Sequence, residues 1–205
     1  MIGQIPQELR RYVEECVLPQ YGQADSAHGI GHIRQVMENS RELAEPLEVE
    51  ARLVYVAAAY HDLGICRFGR KDHERTSAQL LREDLSLRQW FTPEEVEQMA
   101  QAVEDHRASS GREPRSLYGR IISEADRDID PERIVRRCME YGKANFPEMD
   151  EQAQIRRTVE HIEEKYGENG YLRLWLPCSK NQAGLDTLRE WLRTGELWEV
   201  CKRFG

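Results

Sequence analysis

The chain has 205 residues, with 29 Lys and Arg against 37 Asp and Glu, a formal charge of −8 and a pI near 5.4. Its 40% hydrophobic and 8% aromatic content excludes a disordered chain, and the length suits one domain with at most a terminal extension. The acidic balance argues against general nucleic-acid binding, which needs a basic face to displace counterions, but leaves room for a local basic pocket around a small anion.

The N-terminal stretch MIGQIPQELRRYVEECV is amphipathic and lacks the apolar centre of a signal peptide. Asp25 and Ser26 are candidate N-caps for a helix whose stripe is Ile30, Ile33, Val36, Met37, Leu43, Ala44 and Leu47. Val49 to Leu63 is apolar almost all round and predicts a central buried helix. Within it, Leu53 to Tyr60 is the longest uninterrupted apolar run, far short of the roughly 20 residues that span a bilayer. Thr92-Pro93-Glu94-Glu95 is a capping box with proline at the first helical position, followed by Val96, Met99 and Val103 at helical spacing. A short helix ends near Ala125 to Arg127, and Asp130-Pro131 opens the next. Ile155, Val159, Ile162 and Tyr166 form a further stripe before Gly167 and Gly170 interrupt it.

Tyr171, Leu172, Leu174, Trp175 and Leu176 read either as a short strand or as an irregular packed stretch. Leu185, Leu188, Trp191 and Leu192 then return to helical spacing, and Trp175, Trp191 and Trp198 mark this C-terminal segment as a cap on the bundle, in preference to a partner-binding surface. With no alternating β-branched runs, the prediction is an all-α bundle of about eight to ten helices. It forms a single domain over 1–205, with a core at about 25–130 and a helical extension at about 131–205. Five scattered cysteines without a CxxC argue against a disulfide framework or a structural zinc site. The expectation is a soluble protein of the reducing cytoplasm, with no membrane segment.

Five of the six histidines (His28, His32, His61, His73 and His106) fall in the first 106 residues. His61 and Asp62 are adjacent in the most apolar stretch, YVAAAYHDLG, where an ionised carboxylate is costly unless a positive charge pairs with it. Two readings are open for the dipeptide alone: a divalent cation with neutral imidazole as co-ligand, or a core histidine capped by its neighbour. His32 borders the buried face of its helix, His106 lies three after Val103, and Asp126 lies four after Ile122, so all three lean inward. As a set they point to a gathered metal. His28 and His32 are four apart, yet residue 29 is glycine where HExxH requires glutamate, which excludes a zinc peptidase. His28 is either a substrate-side residue at the pocket mouth or a surface histidine.

HGIGHIRQV at 28–36, AAAYHDLG at 57–64 and SEADRDID at 123–130 resemble the three signature segments of the HD-domain superfamily of metal-dependent phosphohydrolases. The resemblance implies that His32, His61, Asp62 and Asp126 are ligands of one metal. Two-metal members resemble H…HD…H…H…D, which adds His73 and His106 as ligands of a second ion bridged by Asp62; His73 could instead be a solvated first-turn residue. No carboxylate follows HD until Asp72, a departure from the one-metal nucleotidases and guanosine tetraphosphate hydrolases of the superfamily.

The implied activity is cleavage of a phosphoester or phosphoanhydride of a small, nucleotide-like substrate by a metal-activated hydroxide, with Asp62 and His28 as catalytic residues. One or two divalent ions are expected, and Fe, Mn, Ni and Zn all suit the mixed nitrogen and oxygen donors. Residues 66–75 and 107–127 each carry a local charge of +2. Arg127, Arg107, Arg70 and Lys71 are the candidate contacts to a small anionic phosphorylated substrate. Alternatives within the same resemblance are a di-iron oxygenase and a non-catalytic metal or nucleotide-binding module.

Overall fold

The computed structural model describes residues 2–23, 28–177 and 179–205, and among these no strand occurs. The chain gathers into two compact units, 1–126 with 175–178, and 127–174 with 179–205. The division falls within the stretch where the sequence passes from expected core to expected extension, and it returns residues 175–177 to the first unit.

The first unit is built on α1 (Gln7–Tyr12), α2 (Ile30–Ala44), α3 (Ala51–Tyr60), α4 (Leu63–Phe68), α5 (His73–Glu83), α6 (Pro93–Glu104) and α7 (Leu117–Ala125). α3 is the centre: Val56, Ala57, Ala58 and Ala59 have no exposed surface, and the helix packs on α2, α6 and α7. Three successive alanines offer little side-chain bulk, so neighbouring backbones approach closely while apolar surface leaves water at about 25 cal/mol per Å². Ile33, Val36, Leu43 and Ala44 make the buried face of α2, as the spacing predicts. The candidate caps Asp25 and Ser26 lie outside the described residues, and Gly29 occupies the N-cap position. The α6 capping box forms as read: the Glu95 backbone N–H donates to Thr92 Oγ1, and the Thr92 N–H to the Glu95 carboxylate.

α3 ends at Tyr60, three residues sooner than the apolar run to Leu63 suggests. His61 and Asp62 form a turn between α3 and α4, so the dipeptide sits at a helix end rather than within a helix. Gly64 explains how α4 then lies so close to α5. A Cβ there would stand 2.2 Å from Thr76 Oγ1, 2.7 Å from Ser77 N and 2.8 Å from the His73 carbonyl oxygen. The Gly64 N–H donates to Ser77 Oγ across the same gap.

The second unit contains α8 (Pro131–Asn145), α9 (Glu151–Tyr166), α10 (Asn181–Thr194) and α11 (Glu196–Lys202). Asp130 caps α8 and Asp150 caps α9 through their side chains. These helices enclose their own core, which includes Val135, Met139, Ile162, Leu188 and Val200, with Trp191 and Trp198 partly buried against it. Residues 172–176 are irregular rather than strand, and Leu176 joins the core of the first unit. No helix among the described residues is long and apolar enough to cross a membrane.

Candidate metal centre

Helix ends supply most of the site. His61 follows the last residue of α3, His73 opens α5, His106 lies just past α6, Asp126 caps the C-terminus of α7, and His32 stands in the first turn of α2. The last carbonyls of a helix lack intrahelical partners and carry its negative end. Two of these histidines use such a carbonyl: His61 Nδ1 lies 2.8 Å from Ala58 O, and His106 Nδ1 lies 2.6 Å from Val103 O. His73 Nδ1 is likewise 3.0 Å from Arg70 O, just before α5. A carbonyl oxygen can only accept, so each Nδ1 carries the proton, and in the neutral ring each Nε2 presents a lone pair.

Those lone pairs converge. His61 Nε2 lies 3.3 Å from His32 Nε2, 3.5 Å from Asp62 Oδ2 and 3.7 Å from Asp126 Oδ1. His32 Nε2 is itself 3.1 Å from Asp126 Oδ1. On the other side, His106 Nε2 lies 3.2 Å from His73 Nε2 and 3.5 Å from Asp62 Oδ1, with His73 at 3.3 Å from the same oxygen. The donor atoms of His32, His61 and Asp126 lie within 4.8 Å of one another, as do those of Asp62, His73 and His106. Acceptors facing acceptors at such distances repel unless a cation lies among them. The donor set therefore fits a divalent metal.

Charge runs through the cluster in the same sense. Burial opposes ionisation of Asp62, yet His61, His106 and His28 hold it far below the usual carboxylate range. Asp126 is held low against burial by His32 and His61. Burial pushes His61 down, but Asp62 and Asp126 carry it up to about 9. His73 moves the other way, lowered by burial and then by His106.

All seven histidine and aspartate residues singled out in the sequence lie together. His28 Nδ1 sits 2.9 Å from Asp62 Oδ2, inside the site rather than on open surface. The basic candidates divide. Arg70 and Lys71 are exposed immediately before His73. Arg107 Nη1 donates to Glu74 Oε2 at 3.1 Å, and the same oxygen lies 3.7 Å from His73 Nδ1. Arg127 is 7% exposed, belongs to the second unit, and its guanidinium donates to the Arg173 carbonyl.

Two contributors escaped the sequence reading. Glu74 links Arg107 to His73, and only a first-turn carboxylate on α5 hinted at it. Glu124, fully buried, accepts from the Trp175 and Leu176 backbone N–H groups at 2.6 and 3.1 Å, two residues before Asp126.

The HD domain family matches residues 29–128. The chain contains an HD domain. Its matched segment runs from α2 to just past Asp126 and so takes in His32, His61, Asp62, His73, His106 and Asp126. The structure is also similar to that of a predicted HD superfamily hydrolase from an uncultured Thermotogales bacterium, at 26% identity and a TM-score of 0.52, over 77% of this chain and 86% of that one. No curated protein matches the sequence. Family, fold and donor cluster together support a metal-dependent hydrolase.

Proposed function

We propose that the protein is a dinuclear phosphohydrolase that cleaves a phosphoester or phosphoanhydride of a small, nucleotide-like molecule. The observation that carries this is the convergence of histidine Nε2 atoms and carboxylate oxygens on the two sides of Asp62. In this reading His32, His61, Asp62 and Asp126 would hold one ion, and Asp62, His73 and His106 would hold a second. A divalent ion so held supplies Lewis acidity and lowers the pKa of water to near neutrality.

The chain's own groups do the rest. The backbone carbonyls of Ala58, Val103 and Arg70 fix three imidazoles in one tautomer and one orientation. We assign to His28 the uptake of the proton released on hydrolysis, supported by its 2.9 Å contact with Asp62. Arg70 and Lys71, beside His73, and Arg107, held by Glu74, suit phosphate oxygens of the substrate. The five scattered cysteines support a reducing cytoplasm as the setting.

The test is metal content and phosphate release in the same preparations. Wild-type protein is expected to carry divalent metal and to release phosphate from nucleotides or phosphomonoesters with iron, manganese, nickel or zinc. Asp62→Ala is expected to lose both. An Asp62→Ala protein that keeps its turnover would overturn the site. Bound metal with no turnover across the panel, or oxygen consumption by an iron-loaded sample, would overturn the hydrolytic reading.

A further inference from the structure

The second unit has a cleft of about 510 Å³ between α8 and α9 that the metal centre does not use. Its charged lining is Arg137 from α8 and Arg157, His161 and Lys165 from α9, and no carboxylate lines it. Positions 157, 161 and 165 recur every fourth residue, which puts Arg157, His161 and Lys165 on one stripe of α9, two cations with an imidazole between them. Other arginines of the protein are neutralised by neighbouring carboxylates, as Arg34 is by Glu14, Arg82 by Glu97 and Arg115 by Asp105. Among the described residues, Arg137, Arg157 and His161 make no ion pair.

Arg157 is set in place in advance. Its Nη2 donates to the Cys138 carbonyl, and its guanidinium carbon lies 5.8 Å from the Tyr141 ring centroid and 5.7 Å from that of Phe146. Gly142 makes this possible, because a Cβ there would stand 2.5 Å from Arg157 Nη2. Arg157 Nε is buried and finds no hydrogen-bond partner. Burial, then Lys165 and Arg157, pull the His161 pKa below its ordinary value against the field of Glu164. Tyr141, a 58% exposed residue, lines the cleft and adds an aromatic surface beside the cations.

We propose that the α8–α9 cleft is a second anion site, which takes the phosphate of a small nucleoside phosphate on Arg137, Arg157, His161 and Lys165 and its base against Tyr141. Guanidinium donors match phosphate oxygens in pairs, and a ring face stacks on any base. The −8 chain favours a small ligand over a nucleic-acid strand. The site is independent of the metal centre and of the reaction proposed there.

The test is calorimetric titration of the full-length, chelator-stripped protein with inorganic pyrophosphate, ADP and a ten-nucleotide RNA. Saturable binding is expected for pyrophosphate and several-fold tighter binding for ADP. Both should weaken more than ten-fold in Arg137→Glu/Lys165→Gln and stay unchanged in His32→Ala. Arg137→Glu alone, at an exposed helical position, gives the comparison with least disturbance of packing and should still weaken both ligands. Absence of saturable binding to wild type, wild-type affinity in the charge variants, or loss of binding in His32→Ala would each overturn the site. ADP no tighter than pyrophosphate would overturn the role of Tyr141, and RNA bound more tightly than ADP would overturn the small-molecule assignment.

Discussion

His61 has no exposed surface and faces two carboxylates, so chelated protein must meet their charge with a proton. With its pKa carried up to about 9 by Asp62 and Asp126 against burial, His61 is the seat of that proton. The folded value lies above the ordinary 6.5, so the stabilisation is fully present below pH 6.5 and is lost as pH rises through 9. A shift of that size corresponds to roughly 3 kcal/mol at most. Asp62 and Asp126, depressed in the fold, contribute stability that is present above the usual carboxylate range and lost on acidification. Melting temperatures of chelated protein are therefore expected to fall from pH 6.5 to 9 and also in acid. Protein loaded with a divalent ion should lose the alkaline slope, because ion and proton compete for the same Nε2. Equal melting temperatures at pH 6.5 and 9 in chelated wild type would count against His61 as the proton's seat.

The ligands sit at helix ends, and so their placement depends on how closely elements approach. Gly64 is the tightest of these approaches near the site. Substituting Gly64→Ala drives a methyl group against Ser77 N and the His73 carbonyl, both backbone, so rotamer changes give no relief. Overpacking of this kind costs about 1–3 kcal/mol. It should also move His73, giving weaker metal retention together with a lower melting temperature. Thr92→Ala supplies the contrast: loss of the α6 cap costs about 1 kcal/mol and should leave metal content unchanged. A Gly64→Ala protein with full metal content at wild-type stability would show that α4 and α5 can part without consequence.

The two substitutions also mark what a sequence discloses. The Thr92–Glu95 box, the α2 stripe and the apolar α3 are local patterns, read from residues three or four apart, and they formed. His32, His61, His106 and Asp126 were legible because buried polar groups on apolar stripes need a reason. The His61–Asp62 turn was not, since an apolar run continues into α4 without a breaker. Gly64 and Gly142 gave no signal either, because a close approach involves a partner helix that the local pattern does not contain. The Arg127–Arg173 bond was hidden for a related reason: a long side chain can reach a carbonyl 46 residues away, which no local pattern contains.

At the scale of the whole chain, residues 175–177 belong with the first unit although helices of the second unit flank them in sequence. Glu124 anchors this return: buried and accepting two backbone N–H groups, it has its charge met by residues some fifty positions later. Leu176 fills the adjacent core. Ending the chain near residue 130 removes both, leaving a buried carboxylate without those donors and an apolar hole beneath it. Such a loss costs several kcal/mol on both counts. The cost of Glu124→Gln should then depend on the length of the chain. In the full chain it weakens two charge-assisted hydrogen bonds and lowers the melting temperature; in a chain ending at 130 those two bonds are already gone, and the same substitution lowers it less. Circular dichroism melts of the four proteins give the cycle directly. An equal loss in both backgrounds would mean that residues 175 and 176 contribute nothing to holding Glu124.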